Sequence, residues 1–264
     1  MLDRPSVPQQ MISKIAGVFR PKPRLPIDPQ TRDWFHSNFD WLRAEFDAER
    51  TERAVITPDD ARWPSSYRGR EEEVRGVADI VADVVGVDMS LVDLVFFDDG
   101  QSERGEGHFS SAAGTYECVN DRFLVSVNSR IAGDAVSVVA TLAHELTHVR
   151  LLGEGRVSPE ERDHEPLTDL AVTYFGLGVF VANATLRESN WTDGNMSGWS
   201  VGRQGYLTMP DHGYALAVKA AANGDWSPQW ASFLRPDVRV PFRQGLRYIR
   251  ENPWVPPPED DDET

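Results

Sequence analysis

The chain has 264 residues, with 27 basic and 42 acidic side chains and a formal net charge of −15. Its 40% hydrophobic and 26% charged residues suit a folded domain rather than a disordered or collagen-like chain. The acidic balance excludes nucleic acid as a default partner, because a protein that grips phosphates presents a basic surface.

The charge is uneven. Residues 1–24 carry five basic side chains and one acidic, and residues 259–263 are all acidic, so most of the acidity belongs to the body between them. Cys118 is the lone cysteine, which excludes an intramolecular disulfide and a thiolate zinc cluster. No apolar run reaches the length of a membrane-spanning helix. The stretch Met11–Phe19 is interrupted by Ser13, Lys14 and Gly17, so it does not read as a secretory signal. The expectation is a cytoplasmic protein.

In chain order, Pro5, Pro8, Pro21, Pro23 and Pro26 make residues 1–28 an extended basic arm. A single domain is expected over 29–252. Trp34, Phe35, Phe39, Leu42 and Phe46 have helical spacing and predict an amphipathic helix over Gln30–Glu49. Val74, Val77, Ala78, Val81, Val84 and Val85 predict a second over Glu71–Val85. Val92–Phe97 is a β-rich apolar run that predicts a buried strand. A polar loop, Asp98–Gly107, leads to two short strands, Ser110–Glu117 and Arg122–Asn128, around a turn at Asn120-Asp121. Alternation in the second strand predicts a sheet with two different faces.

Asp134 caps the next predicted helix, which runs to about Leu152 and stops at Gly153. After the loop Glu154–Asp163, one long helix is predicted over Glu165–Arg187. Gly176 and Gly178 within it are read as points of close approach between the two central helices, and Asn183 as a buried structural amide. Ser189–Gly205, with Trp191 and Trp199, reads as a long loop with the character of a lid. Helices follow at Pro210–Asn223 and Pro236–Glu251, and residues 253–264 form an acidic, disordered tail.

The chemistry lies in Ala143-His144-Glu145-Leu146-Thr147-His148. Residues four apart on a helix share a face, so His144 and His148 can bind one divalent ion, most naturally Zn²⁺. Glu145 stands where its carboxylate reaches a metal-activated water and serves as general base. Val138, Val139, Leu142, Leu146, Val149 and Leu152 make this a buried helix, where two imidazoles and a carboxylate need partners.

A catalytic zinc site needs a third protein ligand. The next helix offers Glu165 as that ligand and Asp169, one turn on, as acceptor of a ligand histidine's other ring N–H. His164 and Asp169 itself compete for the ligand position. Imidazole and carboxylate also suit Fe, Mn or Ni.

The pairing of H-E-x-x-H with E-x-x-x-D on the following helix resembles the gluzincin, thermolysin-like branch of zinc metallopeptidases. Gly176-Leu177-Gly178 and Gly213-Tyr214-Ala215-Leu216-Ala217 add a similarity to small bacterial gluzincin-like proteins. The resemblance implies an α+β, zincin-like fold. In it, a small mixed sheet packs an edge strand on the metal-binding helix, here Arg122–Asn128 and its neighbour, and the C-terminal half is mostly helical. It implies hydrolysis of a peptide or protein substrate, with His144, His148 and Glu165 as zinc ligands. Glu145 is then the general base and Asp169 the outer acceptor.

For the oxyanion, Tyr206, His212 and Tyr214 are candidates, with Tyr214 favoured as a phenol at a cleft edge. The rival expectation is a metal-bearing regulatory or binding protein with little turnover.

Overall fold

A computed structural model describes residues 22–46, 54–98, 113–119, 122–184 and 207–255. The expectations for the arm before residue 22, the loop 99–107 and the turn at Asn120-Asp121 lie outside these residues. So do those for Trp191, Trp199, Tyr206 and the tail beyond 255.

Among the described residues the chain forms seven α-helices and one small sheet: α1 (Pro29–Glu45), α2 (Glu71–Val85), β1 (Val92–Phe97), β2 (Gly114–Val119), β3 (Arg122–Asn128), α3 (Ala135–His148), α4 (His164–Tyr174), α5 (Gly178–Ala184), α6 (Met209–Ala222) and α7 (Pro236–Glu251). The architecture is mixed α+β and mostly helical. No helix among the described residues is long and apolar enough to cross a membrane.

Local chemistry sets several of these boundaries. The Asp28 carboxylate accepts from Thr31 N at 2.9 Å, and Pro29 fills the first turn of α1. Glu73 accepts from the Arg70 and Arg68 amides at the start of α2, and left-handed Gly86 ends that helix. Asp134 caps α3 by accepting from Val136 N at 3.1 Å.

The sheet has the order β1-β3-β2, with β1 parallel and β2 antiparallel to β3. Arg122–Asn128 is therefore the central strand. Its neighbour Gly114–Val119 is the edge strand on the side of α3, so of the two strands expected at that edge Arg122–Asn128 lies instead in the middle of the sheet, paired on both sides. Val92, Leu94, Val125 and Val127 point inward and are buried.

α3 occupies the middle of the core. Val138, Leu142, Ala143 and Leu146 have no exposed surface, and the helix is packed by α2, α4 and α5 and by strands β2 and β3. Fully burying each such branched side chain stabilises the fold by about 1.5–3 kcal/mol. Beyond His148 the helix continues as one π-helical turn, Val149–Gly153.

The single long helix predicted over Glu165–Arg187 is two helices, α4 and α5, with 185–187 outside the described residues. Gly176 breaks it with φ +101°, a left-handed conformation. Its carbonyl accepts from Ile56 N at 2.9 Å, and a Cβ there would lie 2.6 Å from the Ala54 carbonyl oxygen. Gly178 lies against Thr173 and Leu216. These glycines thus admit the 54–56 segment and α6, rather than drawing α3 and α4 together as the sequence suggested. Asn183 is the structural amide expected of it, donating to Phe233 O at 2.9 Å and accepting from Arg235 N at 3.1 Å.

Gly176→Ala combines backbone strain with a clash against a carbonyl. It is expected to lower unfolding free energy by about 2 kcal/mol or more, measured by urea denaturation.

Candidate metal centre

The centre is built by two helices that meet side by side. α3 supplies His144, Glu145 and His148; the first turn and a half of α4 supplies His164, Glu165, Thr168 and Asp169. α4 is anchored at its start by Trp34 of α1, whose indole N–H donates to the Asp163 carboxylate at 2.7 Å.

One ligand atom from each of His144, His148 and Glu165 falls in a group within 4.8 Å. His144 Nε2 lies 3.0 Å from Glu165 Oε2 and 3.1 Å from His148 Nε2, and His148 Nε2 lies 3.4 Å from the same carboxylate oxygen. Ligands bound at about 2.1 Å to a tetrahedral ion stand about 3.4 Å apart, so this spacing fits one small cation.

The hydrogen bonds on the far side of each ring fix the tautomers. His144 Nδ1 meets Asp169 Oδ1 at 2.9 Å. A carboxylate only accepts, so Nδ1 carries a proton toward Asp169, and the same rule has Nε2 donate to Glu165 Oε2; loss of the Nε2 proton frees a lone pair for a cation. Thr168 donates its hydroxyl proton to His164 O at 2.8 Å, leaving its oxygen to accept from His148 Nδ1 at 3.4 Å. Two imidazole Nε2 atoms and one carboxylate oxygen therefore converge, and a bound cation would take the place of the Nε2 proton that joins them.

Burial and charge act together here. Burial works against charging His144, but the Asp169 and Glu165 carboxylates overcome it and hold its pKa well above the usual value. Burial holds His148 below the usual value, against the pull of Glu165. For Glu165 burial is outweighed by the two histidines, which hold its carboxyl well below the usual range. Glu145 is 7% exposed. Burial pushes its carboxyl up to about 7, with His144 opposing and Glu165 and Asp169 adding to the rise.

Asp169 is 1% exposed. Its Oδ1 serves His144, and its Oδ2 accepts from Leu207 N at 3.4 Å. Both oxygens are committed to orienting neighbours, which sets Asp169 behind the ligand ring. His164 turns Nδ1 to Glu161 O at 2.6 Å and holds Nε2 3.4 Å from Glu165 Oε1, outside the converging group.

Of the two oxyanion candidates that lie within the described residues, Tyr214 is not at a cleft edge. Tyr214 has no exposed surface, and its hydroxyl meets His36 Nε2 at 3.0 Å. The phenol expected at a cleft edge is instead a core residue between α1 and α7, because its ring packs on Phe35 and fills the notch at Gly245. His212 is 1% exposed and lies on the Asp169 side of the centre. Burial lowers its pKa, while Asp169 and Asp211 oppose that shift.

Sequence reasoning missed Thr168, although its spacing of three and one from Glu165 and Asp169 puts it on their helical face. It also missed Gly114 and Tyr116 of β2. A Cβ at Gly114 would lie 3.0 Å from both Cγ and Oε1 of Glu145. No local signal marks that contact. Cys118 is an exposed residue of the same strand. A comparison of the chain with protein families, with curated proteins and with solved structures returns no match.

Titration with divalent metal ions, read by native mass spectrometry, is expected to give one ion per chain. Glu165→Ala and His148→Ala should abolish stoichiometric uptake, and Asp169→Ala should weaken it about 10–100-fold. Full uptake by Glu165→Ala would reassign the third ligand. His36, beside Tyr214, is held neutral by burial, which lowers its pKa to about 4. Between pH 6.5 and about 4 the unfolded chain binds a proton at this position that the folded chain does not. Stability is therefore present above that window and falls on acidification through it, by up to about 3 kcal/mol from this group. His36→Gln should flatten that part of the stability profile, measured by denaturation at a series of pH values.

Proposed function

We propose that this protein is a zinc-dependent metallopeptidase with a gluzincin-type site on a zincin-like fold. The observation that carries the reading is the convergence of His144 Nε2 and His148 Nε2 with Glu165 Oε2, one residue from a buried carboxyl at Glu145. The Asp169 bond to His144, and an edge strand lying beside the metal helix, support the same reading. His144, His148 and Glu165 would hold the ion through two imidazoles and one carboxylate, a donor set that leaves a fourth position for water or substrate. A zinc ion bound there supplies Lewis acidity toward a carbonyl oxygen and a lowered pKa for water.

The remaining chemistry belongs to the chain. Glu145 accepts a proton from the attacking water as the water's oxygen forms its bond to the scissile carbonyl carbon. The C–N bond then breaks, and Glu145 returns the proton to the leaving nitrogen, giving one carboxylic acid and one amine. Glu145 lies next to the ligand His144, where its buried carboxyl can take the proton and return it. Asp169 keeps His144 in the tautomer that presents Nε2, and stabilises the ring as it gains positive charge. Burial of α3 lowers the local dielectric and strengthens each of these interactions.

The test is Glu145→Gln assayed on a denatured-protein or random-peptide substrate with metal content measured in parallel. The amide keeps the volume and loses the basic oxygen. Hydrolysis is expected to fall at least about a hundredfold with zinc retained. Undiminished hydrolysis would remove Glu145 from the mechanism.

A further inference from the structure

The two imidazoles of the centre are not oriented equally. On the side away from the converging atoms, His144 Nδ1 has a 2.9 Å bond to a buried carboxylate, whereas His148 Nδ1 has a 3.4 Å contact with the Thr168 hydroxyl. An imidazole ligand needs its ring plane fixed, and a single long hydrogen bond leaves rotation about the ring axis weakly opposed.

The missing constraint comes from the edge strand. Residues i and i+2 of a strand share a face, and on β2 that face meets the metal helix twice, with Gly114 at Glu145 and Tyr116 at His148. The Tyr116 ring lies 5.7 Å from the His148 ring at an interplanar angle of 28°, and it also stacks on Phe123 of β3 at 6.1 Å and 26°. The rings are held in turn by the π-helical turn that follows His148. A Cβ at Gly153 would lie 2.6 Å from Phe123 Cε1 and 3.0 Å from the Tyr116 hydroxyl oxygen, so the bare backbone at 153 seats both rings. One turn of chain thus links the ligand His148 to the floor of the stack that covers it.

We propose that Tyr116 is a positioning residue for His148: its ring fixes the imidazole plane, and its π face stabilises the positive charge that the imidazole gains when Nε2 bonds a divalent cation. The proposal rests on His144, His148 and Glu165 holding a metal ion. The stack takes the place, for His148, of the carboxylate that serves His144. Its strength lies in the aromatic ring rather than the hydroxyl, so the conservative aromatic replacement should preserve it.

The experiment titrates the full chain with Zn²⁺, and with Co²⁺ as a spectroscopic probe. Tyr116→Phe should bind zinc within about twofold of wild type. Tyr116→Leu should lose about tenfold in affinity and shift the visible absorption of the Co²⁺ form, a signature of altered ligand geometry that a change in global stability alone does not produce. Gly153→Ala disturbs the same stack from the helix side, against the Phe123 ring and the Tyr116 hydroxyl, without replacing a residue of β2. Gly153 is not among the left-handed glycines, so that substitution changes the contact and not the backbone conformation. It should weaken zinc binding in the same direction, and it decides the matter if Tyr116→Leu does not fold. Wild-type affinity and an unchanged Co²⁺ spectrum in either folded variant would overturn the role of Tyr116 while leaving the metal centre intact. A wild-type chain that takes up neither ion would overturn both.

Discussion

Two imidazole nitrogens and a carboxylate oxygen brought within 3.0–3.4 Å of each other, inside a largely buried helix pair, form the constraint that the rest of this structure serves. They have little access to water, and the proton on His144 Nε2 that joins them is the one a cation would displace. Nε2 of each ring is aimed inward because Nδ1 is committed outward, from His144 to Asp169 and from His148 toward Thr168. Each outward partner lies on α4, so the docking of α3 against α4 sets the tautomers and the convergence together.

That docking is a packing event. α3 is nearly all buried, with the Val138, Leu142 and Leu146 side chains wholly inside. The apolar burial that holds it also desolvates the polar residues it carries. The same burial therefore has opposite consequences for neighbouring groups. It pushes the Glu145 carboxyl up and the His148 imidazole down, while His144 beside them is driven up by two carboxylates. A helix displaying these residues to solvent would have the motif without the electrostatics.

The opening charge of −15 takes on local meaning here. Glu145, Glu165 and Asp169 sit within the centre, and Asp163, just before α4, is spent on the Trp34 indole. Glu161 accepts from Ser158 N through its side chain and from His164 through its carbonyl. Several of the acidic residues near the centre thus have specific hydrogen-bonding duties rather than forming a uniform acidic surface. Fold-level likeness would not supply the chemistry in any case; the reading of function depends on these groups and their distances.

Much of the helix pattern was readable because it is local. Residues 71–85, 92–97 and 236–251 form the elements that their periodicity predicts, and the four-residue spacings of His144 to His148 and Glu165 to Asp169 follow from helical geometry alone. What periodicity cannot report is where a chain bends for a distant neighbour. The break at Gly176 depends on the carbonyl of Ala54, and the seclusion of Tyr214 on His36 depends on a helix 178 residues earlier in the chain. The choice of Arg122–Asn128 as the central strand likewise needs all three strands in place. The sequence by itself determined which residues could ligate a metal, because spacing on one helix is set by the backbone. Only the tertiary structure decided which of Glu165, Asp169 and His164 faces the two histidines and which strand covers them, because those contacts join segments whose spacing in the sequence carries no geometric information.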